Sequence, residues 1–180
     1  MELVQPIRDK QQIEQMKTEL LKTGYKNYML FVFGINTGLR VTDILELKVK
    51  DVKENISPIK ENKTGKNRRL SFNQQFKDEI DRYTANMSDD EYFIPSQMKS
   101  YEPMSRVQAY RILKKAANII GIPELGTHTM RKTFGYWYYK KHKDVAMLQR
   151  IFNHSSPSIT LEYIGITQDM IDKSLEDFYL

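Results

Sequence analysis

An almost uninterrupted apolar segment, YKNYMLFVFGI at residues 25–35, sets the first condition on how this chain folds. If the segment winds into a helix, apolar side chains lie on nearly all of its sides, and a helix of that kind is buried. It is much shorter than the roughly 20 apolar residues that cross a membrane, so it predicts a helix inside a folded core. Thr37 and Gly38 break the pattern, and a shorter amphipathic helix is expected from near Val41.

Other parts of the chain carry their own helical or hairpin patterns. Further helices are predicted at 8–22, after Asn73, and at 105–120, 128–141, 145–152 and 168–178. Between 49 and 72, β-prone pieces at 56–59 and 68–72 flank the turn-rich segment ENKTGKN, which is typical of a hairpin with a basic tip. The chain has 180 residues, the size of one domain. We therefore expect one mainly α domain with a small antiparallel β-sheet, an α+β fold.

The charge of the chain is positive and unevenly distributed. Lysine and arginine total 28 against 23 aspartates and glutamates, a formal net charge of +5. Between residues 48 and 69 there are eight basic residues and three acidic ones, whereas the tail from Glu162 is acidic. This distribution favours a polyanionic partner.

Several classes of protein are excluded or disfavoured by composition. The chain has no cysteine, which excludes disulfides, thiolate metal sites and a cysteine nucleophile. The first residues, MELVQPIRDK, lack the apolar core of a signal peptide, and no segment is long enough for a membrane helix. We therefore expect a cytoplasmic protein with no membrane partner.

Two short motifs place an arginine where it could bind an anion. In HTMR, His128 and Arg131 are three residues apart and share a helix face, so both side chains can point at one target. In the other motif, Arg40 follows Thr-Gly-Leu and precedes Asp43, an acid that could orient its guanidinium. Each motif has an ordinary alternative when taken alone, a surface histidine beside an arginine or a structural ion pair.

Three further residues gain meaning only in combination. His154 lies in the polar turn FNHSSP, where a histidine is usually solvated or caps a helix. Tyr163 follows nine residues later, and most of the 11 tyrosines in the chain must be packing residues. Lys63 lies near Gly65 in the hairpin tip, where an ammonium group could reach a ligand or remain a solvated charge.

Four separated segments together resemble the tyrosine recombinases, also called phage integrases. They are NTGLRVTDIL around Arg40, NKTGK around Lys63, HTMRKTF from His128 and NHSSPSITLEY ending at Tyr163. The resemblance runs from about Val4 to the C-terminus and implies the fold of the family's catalytic domain for residues 1–180. Family members usually carry an N-terminal helical core-binding domain. This sequence has no room for one, so we expect a single catalytic domain without it.

The resemblance also implies a role for each motif residue. By similarity, the phosphate-binding arginines are Arg40 and Arg131, the general acid is Lys63, the paired histidines are His128 and His154, and the nucleophile is Tyr163. Further candidates, for contact with DNA, are Lys66, Arg68, Arg69 and Lys132, and Asp43 is expected to support Arg40.

These residue types suit a phosphodiester transfer that needs neither a metal ion nor another cofactor. Two arginines can offset the charge on the non-bridging oxygens with paired donors. A phenol has a pKa of about 10, so Tyr163 needs local positive charge and a proton acceptor, and His128 suits that task. A 3′-phosphotyrosine keeps its bond energy for rejoining. The predicted function is site-specific recombination or integration of double-stranded DNA.

Quaternary structure and two alternative functions follow from the same resemblance. Related recombinases act as four protomers, so we expect a homo-oligomer, a tetramer, on DNA, while the free chain could be a monomer. An apolar stripe of Ile171, Leu175 and Phe178 could dock on a neighbour or close its own core. The alternatives are a type IB topoisomerase-like enzyme and a non-catalytic DNA-binding regulator with the same fold. A histidine-metal hydrolase is disfavoured because the histidines lack a spacing such as HExxH.

Overall fold

A computed structural model describes residues 4–54, 56–60, 65, 67–99, 101–126, 128–176 and 178–179. The helices are α1 (Lys10–Thr23), α2 (Tyr25–Thr37), α3 (Val41–Glu46), α4 (Gln74–Thr84), α5 (Arg106–Ile119), α6 (Thr129–His142), α7 (Val145–Phe152), α8 (Pro157–Tyr163) and α9 (Ile166–Glu176). A single 3-10 turn covers Val49–Asp51, and the strands are β1 (Ile56–Lys60) and β2 (Asn67–Ser71). The predicted mainly α fold with a small antiparallel sheet is therefore confirmed. Within the described ranges, no helix is both long and apolar enough to pass through a bilayer.

Helix α2 forms the centre of the main core, as its apolar sequence predicts. Met29, Leu30, Phe31 and Phe33 have no solvent-accessible surface. Helices α1, α3, α4, α5 and α6 all pack against α2. The helix ends where Gly38 adopts a left-handed conformation, with φ +63°. The backbone N–H of Gly38 donates to the carbonyl of Gly34. The chain can thus turn sharply before Arg40.

The two strands pair in antiparallel register, with Ile56 opposite Ser71 and Lys60 opposite Asn67. Ile59 and Leu70 are buried and attach the hairpin to the main core. Lys63 and Lys66 in the hairpin tip lie outside the described residues, as does the side chain of Arg68.

The predicted ends of the elements need correction at both ends of the chain. Helix α1 begins at Lys10 rather than Arg8, because the Asp9 side chain accepts a hydrogen bond from the backbone N–H of Gln11 and caps the helix. Residues 4–8 precede that cap in a segment without regular secondary structure. Near the other end, α8 was not predicted. Ser156 caps it, Pro157 occupies its first turn and Tyr163 is its last residue.

A second, smaller core carries the C-terminal helices. It consists of Tyr136, Leu148, Phe152, Ile164 and Ile166, all buried. Gly135 lets α6 approach this core closely, because a Cβ there would lie 2.6 Å from Ile164 and 2.7 Å from the Phe152 ring. The second core therefore fixes the ends of α7 and α8 against α6.

Candidate active site

The Tyr163 hydroxyl lies beside the imidazole of His128. Its oxygen is 3.2 Å from Nδ1 of His128, and the two rings meet edge to face with centroids 6.3 Å apart. Tyr163 is half-buried at the C-terminal end of α8, whereas His128 directly precedes α6. The fold thus joins two predicted site residues that are 35 positions apart in sequence.

Aromatic and basic side chains surround the Tyr163 ring. Phe152 and His154 both contact it in T-shaped geometry, with centroid separations of 5.5 Å and 5.1 Å. The Nζ atom of Lys132 lies over the ring, 5.0 Å from its centroid. Because Lys132 is four residues after His128 on the same helix, one face of α6 supplies both contacts.

Arg131 is held in place by two hydrogen bonds to backbone carbonyls. It is buried, and its guanidinium donates to the carbonyl of Gly38 at 2.6 Å and to the carbonyl of Phe152 at 3.0 Å. The guanidinium carbon also lies 4.3 Å from the centroid of the Phe152 ring. These contacts tie the loop before α3 and the end of α7 to one planar group, so the direction of its donors is fixed.

Arg40 enters the site from the loop that follows α2. Its guanidinium forms an ion pair with the buried carboxylate of Asp43, at 3.8 Å, as the spacing of the two residues predicts. Gly38 allows the loop to pack on α6, since a Cβ there would lie 2.4 Å from the Phe134 ring. The arginine is therefore held close to α6.

His154 is fixed by the turn between α7 and α8. Its Nδ1 lies 3.0 Å from Oγ1 of the buried Thr160, and its backbone carbonyl accepts a hydrogen bond from the Gln149 side chain at 3.1 Å. Asn153 allows the turn by adopting a left-handed conformation, with φ +55°. This places the imidazole against the Tyr163 ring.

Burial and positive charge act in opposite directions on Tyr163. Burial raises the pKa of its hydroxyl, while the charges of Arg131 and Arg40 and a hydrogen bond with Arg131 oppose that rise. The net shift is upward, so the phenol keeps its proton at neutral pH. Both arginines thus act on the same hydroxyl.

Both histidines have a lowered pKa. Partial burial is the main cause for His128, although its side chain reaches solvent, and the cationic charges of Arg131 and Lys132 lower the pKa further. For His154 the causes are burial, then Arg131 and Arg40. Both imidazoles are therefore neutral near pH 7, and a neutral imidazole can accept a proton.

The site offers little to a metal ion. Among the residues that the structure describes, no three histidine, aspartate or glutamate side chains are grouped so as to hold one. His128 and His154 both lie against Tyr163, but arginines rather than carboxylates accompany them. The donor set therefore fits an anionic ligand better than a cation.

The structure groups most of the predicted site residues. Those that it brings together are Arg40, His128, Arg131, His154 and Tyr163, with Asp43 behind Arg40. Arg69 is exposed on β2. The contact of Lys132 with Tyr163 and the role of Thr160 in holding His154 were not predicted from the sequence. The spacing of Thr160 and Tyr163, three residues apart on α8, was the available signal.

The sequence of this chain matches a known family and several known proteins. The model of the phage integrase family matches residues 8–169. The chain is 50% identical over 171 residues to the probable integrase/recombinase YoeC of Bacillus subtilis (strain 168), covering 94% of this chain and 93% of that protein. It is 25% identical over 170 residues to the tyrosine recombinase XerA of Pyrococcus furiosus, covering 92% of this chain and 59% of that one.

Solved structures share the fold. A crystal structure of XerA recombinase superposes with a TM-score of 0.73 at 18% identity, covering 95% of this chain and 66% of that chain. A lambda integrase dimer bound to a core site gives a TM-score of 0.74 at 17% identity, covering 93% and 62%. The chain spans about three-fifths to two-thirds of these longer proteins, and the predicted fold of a tyrosine recombinase catalytic domain is confirmed. This chain belongs to the phage integrase family.

Proposed function

We propose that this protein is a site-specific DNA recombinase that cuts and rejoins DNA through a 3′-phosphotyrosine at Tyr163. The observation that supports the proposal most directly is the 3.2 Å contact between the Tyr163 hydroxyl and the His128 imidazole. Two arginines act on the same hydroxyl. A nucleophile, a proton acceptor and two anion-binding groups therefore lie within one small site.

In the first step the Tyr163 oxygen attacks the phosphorus of a DNA phosphodiester. A bond forms between the phenolic oxygen and phosphorus, the bond from phosphorus to the 5′ oxygen breaks, and Nδ1 of His128 takes the phenolic proton. Arg40 and Arg131 bind the non-bridging oxygens, where negative charge grows in the transition state. A bound phosphate would replace the Tyr163 hydroxyl as the hydrogen-bond partner of Arg131. The hydroxyl would then be free to turn towards the phosphorus atom.

The leaving 5′ oxygen must receive a proton. Lys63 is the proposed donor, by its resemblance to the hairpin lysine that acts as the general acid in the family. Neighbouring cations would lower the pKa of such a lysine and make it a better acid. His154 is proposed to donate a hydrogen bond to the phosphate, and the basic residues Lys66, Arg68 and Arg69 to contact the DNA backbone.

The second step reverses the first with a different strand. A free 5′ hydroxyl gives its proton to Lys63, which is neutral after the first step, and its oxygen attacks the phosphotyrosine. The phosphorus–Tyr163 bond breaks, and the proton returns to the phenolic oxygen from His128. The energy of the phosphodiester is conserved in the protein–DNA bond, so no ATP is consumed. Charge is offset by guanidinium groups, so we expect no metal ion to be required.

Double-stranded DNA is the proposed substrate, and a tetramer of this chain the proposed assembly on it. A solved lambda integrase tetramer is bound to a Holliday junction, and this chain superposes on it with a TM-score of 0.73. Leu175 in the last turn of α9 is 61% exposed and Phe178, beyond the end of that helix, is 63% exposed, which leaves apolar surface for a neighbour to cover. The side chain of Ile171 lies outside the described residues.

Away from DNA the chain is proposed to be a monomer, and to work in the cytoplasm.

Covalent capture on DNA tests this proposal without knowledge of the target site. The probe is a pool of nicked duplexes with a randomised core, in which cleavage releases a short fragment and traps the protein. In buffer with EDTA, the wild-type chain should give a protein–DNA band that survives denaturing electrophoresis. Tyr163→Phe should give none, whereas the matched variant Tyr101→Phe, at an exposed loop position, should behave as wild type.

The same captured duplexes separate recombination from the alternatives. Adding a second duplex with a free 5′ hydroxyl should move the covalent strand onto it. Relaxation of a supercoiled plasmid without any such transfer would instead indicate a type IB topoisomerase. Sequence-specific binding with no covalent band would indicate a non-catalytic regulator, and would refute the proposal.

A further inference from the structure

The segment before α1, residues 4–9, has no regular secondary structure and contacts α6 and Gly165, close to the proposed active site. We call it the N-terminal strap. None of the roles described so far involves it. Its contacts nevertheless fall on α6, which begins directly after His128, and on the turn between α8 and α9, which directly follows Tyr163.

The middle of the strap is fastened to α6 by two hydrogen bonds. The backbone N–H of Ile7 donates to Oγ1 of Thr133 at 2.9 Å, and the indole N–H of Trp137 donates to the carbonyl of Ile7 at 2.9 Å. Ile7 and Thr133 are both buried. Buried hydrogen bonds of this kind are costly to break, so the strap and α6 should move as one unit.

The two ends of the strap rest on glycines that flank the Tyr163–His128 pair. Val4 packs on Gly126, two residues before His128, where a Cβ would lie 2.5 Å from the valine side chain. Arg8 donates to the carbonyl of Gly165, two residues after Tyr163, at 3.0 Å. A Cβ on Gly165 would lie 2.5 Å from the Arg8 guanidinium, and its φ of +71° also favours glycine.

Tyr163 needs such support because it is the last residue of a short helix. Helix α8 has seven residues, and the ends of short helices open readily unless tertiary contacts hold them. Ile164 and Ile166 anchor one side of the following turn in the second core. Arg8 holds the carbonyl of the residue between them, and its guanidinium lies 5.7 Å from the centroid of the Tyr136 ring.

We infer that the N-terminal strap aligns Tyr163 with His128, and that Arg8 is a positioning residue for the nucleophile. The strap connects the α6 end of the pair, through Ile7, to the α8 end, through Arg8. Arg8 acts on Tyr163 through the carbonyl of Gly165, so its role is positioning rather than catalytic. The inference rests on the proposed function, since positioning matters only if Tyr163 reacts.

The test compares Arg8→Met with Arg82→Met. Arg82 is exposed on α4, so its replacement removes the same charge at a distance from the site. With a captured duplex at saturating concentration, Arg8→Met should slow single-turnover cleavage about 10- to 100-fold, the scale expected when a reacting group is displaced by about 1 Å. Arg82→Met should cleave at the wild-type rate, and DNA affinity should be equal in the two variants.

Two further measurements separate positioning from a purely structural role. Arg8→Lys keeps a donor that can reach the Gly165 carbonyl, so it should recover part of the lost rate. Trp137 is the only tryptophan, and its emission reports whether the strap is docked on α6. In Arg8→Met that emission and the melting temperature should match those of Arg82→Met, because the Ile7 contacts remain.

The outcomes distinguish this inference from the proposed function. If the wild type forms the covalent band and Arg8→Met cleaves as fast, the strap has no positioning role, although the function stands. A rate loss accompanied by an equal loss in Arg82→Met, or explained by a lowered melting temperature, also overturns it. If the wild type forms no covalent band, both proposals fail together.

Discussion

Two guanidinium groups set the charge at the Tyr163 hydroxyl, yet the pKa of that hydroxyl is raised because burial outweighs them. The phenol therefore stays protonated in the absence of DNA. A bound phosphate would accept hydrogen bonds from the arginines, and His128 would then take the phenolic proton. In this account the nucleophile is activated when substrate arrives rather than kept ionised beforehand.

Replacing each arginine with lysine tests whether the paired donors matter. Arg40→Lys and Arg131→Lys keep the charge but lose the planar fork, and each should slow single-turnover cleavage about 10²- to 10³-fold. Arg131→Lys should also lower the melting temperature, because Arg131 supports the carbonyls of Gly38 and Phe152. Arg40→Lys at close to the wild-type rate would remove Arg40 from the mechanism.

The lowered pKa of His128 predicts where activity falls with acid. His128 accepts the phenolic proton only when neutral, and burial with nearby cations holds its pKa below the ordinary 6.5. Cleavage at subsaturating DNA should therefore decline as the pH falls, with a midpoint below 6.5. A midpoint above 6.5 would contradict this assignment.

A matched histidine provides the control for that profile. His142 is exposed at the end of α6, remote from Tyr163, and His142→Gln should leave both the rate and the profile unchanged. His128→Gln should lower the rate at neutral pH, since the side-chain amide cannot accept the proton effectively.

Sequence reasoning reached the types of the site residues but not their surroundings. The motifs around Arg40, His128 and Tyr163 could be recognised because each has a characteristic local sequence. The burial of Arg131 and the position of Lys132 over the Tyr163 ring were not, because both depend on how α6 meets α7 and α8. A single helix sequence does not contain that information.

Among the elements, most helices were predictable, but α8 was not. Apolar residues recur at helical spacing in α5 and α7, and α2 is apolar on nearly all of its sides. Helix α8 has only seven residues, and Thr160 is its buried residue. Its capping serine and the proline that follows were the remaining signals, and they mark a start without marking a length.

The packing of α6 on the second core predicts a specific sensitivity at Gly135. Alanine is the better helix former by about 1 kcal/mol. A Cβ at Gly135, however, would lie 2.6–2.8 Å from Ile164 and the Phe152 ring, and overpacking of this kind costs about 1–3 kcal/mol. Gly135→Ala should therefore lower the free energy of unfolding and slow cleavage, because Ile164 follows Tyr163 directly.

Denaturant unfolding with a second alanine variant checks that sign. Lys141 is exposed on the same helix, and Lys141→Ala should change the free energy of unfolding by less than about 0.5 kcal/mol. An increase in stability for Gly135→Ala would mean that Phe152 and Ile164 can yield at no cost, and that α6 does not fix the end of α8.

At the scale of the whole molecule, the site depends on contacts between distant parts of the chain. Arg131 bonds to Gly38 across 93 positions, and Arg8 bonds to Gly165 across 157. No periodic pattern encodes such pairings, so only the family resemblance could group the site residues beforehand. The strap was outside that resemblance's motifs, and it was mistaken at Arg8 for the start of a helix.

The identity of the residue joined to DNA is the most direct test of the central claim. Digestion of the captured complex with trypsin and nuclease should leave a nucleotide on the peptide covering residues 151–173, whose only tyrosine is Tyr163. Mass spectrometry should locate the added mass on that tyrosine, with the link through the 3′ phosphate. A nucleotide on any other residue, or a covalent complex formed by Tyr163→Phe, would contradict the account.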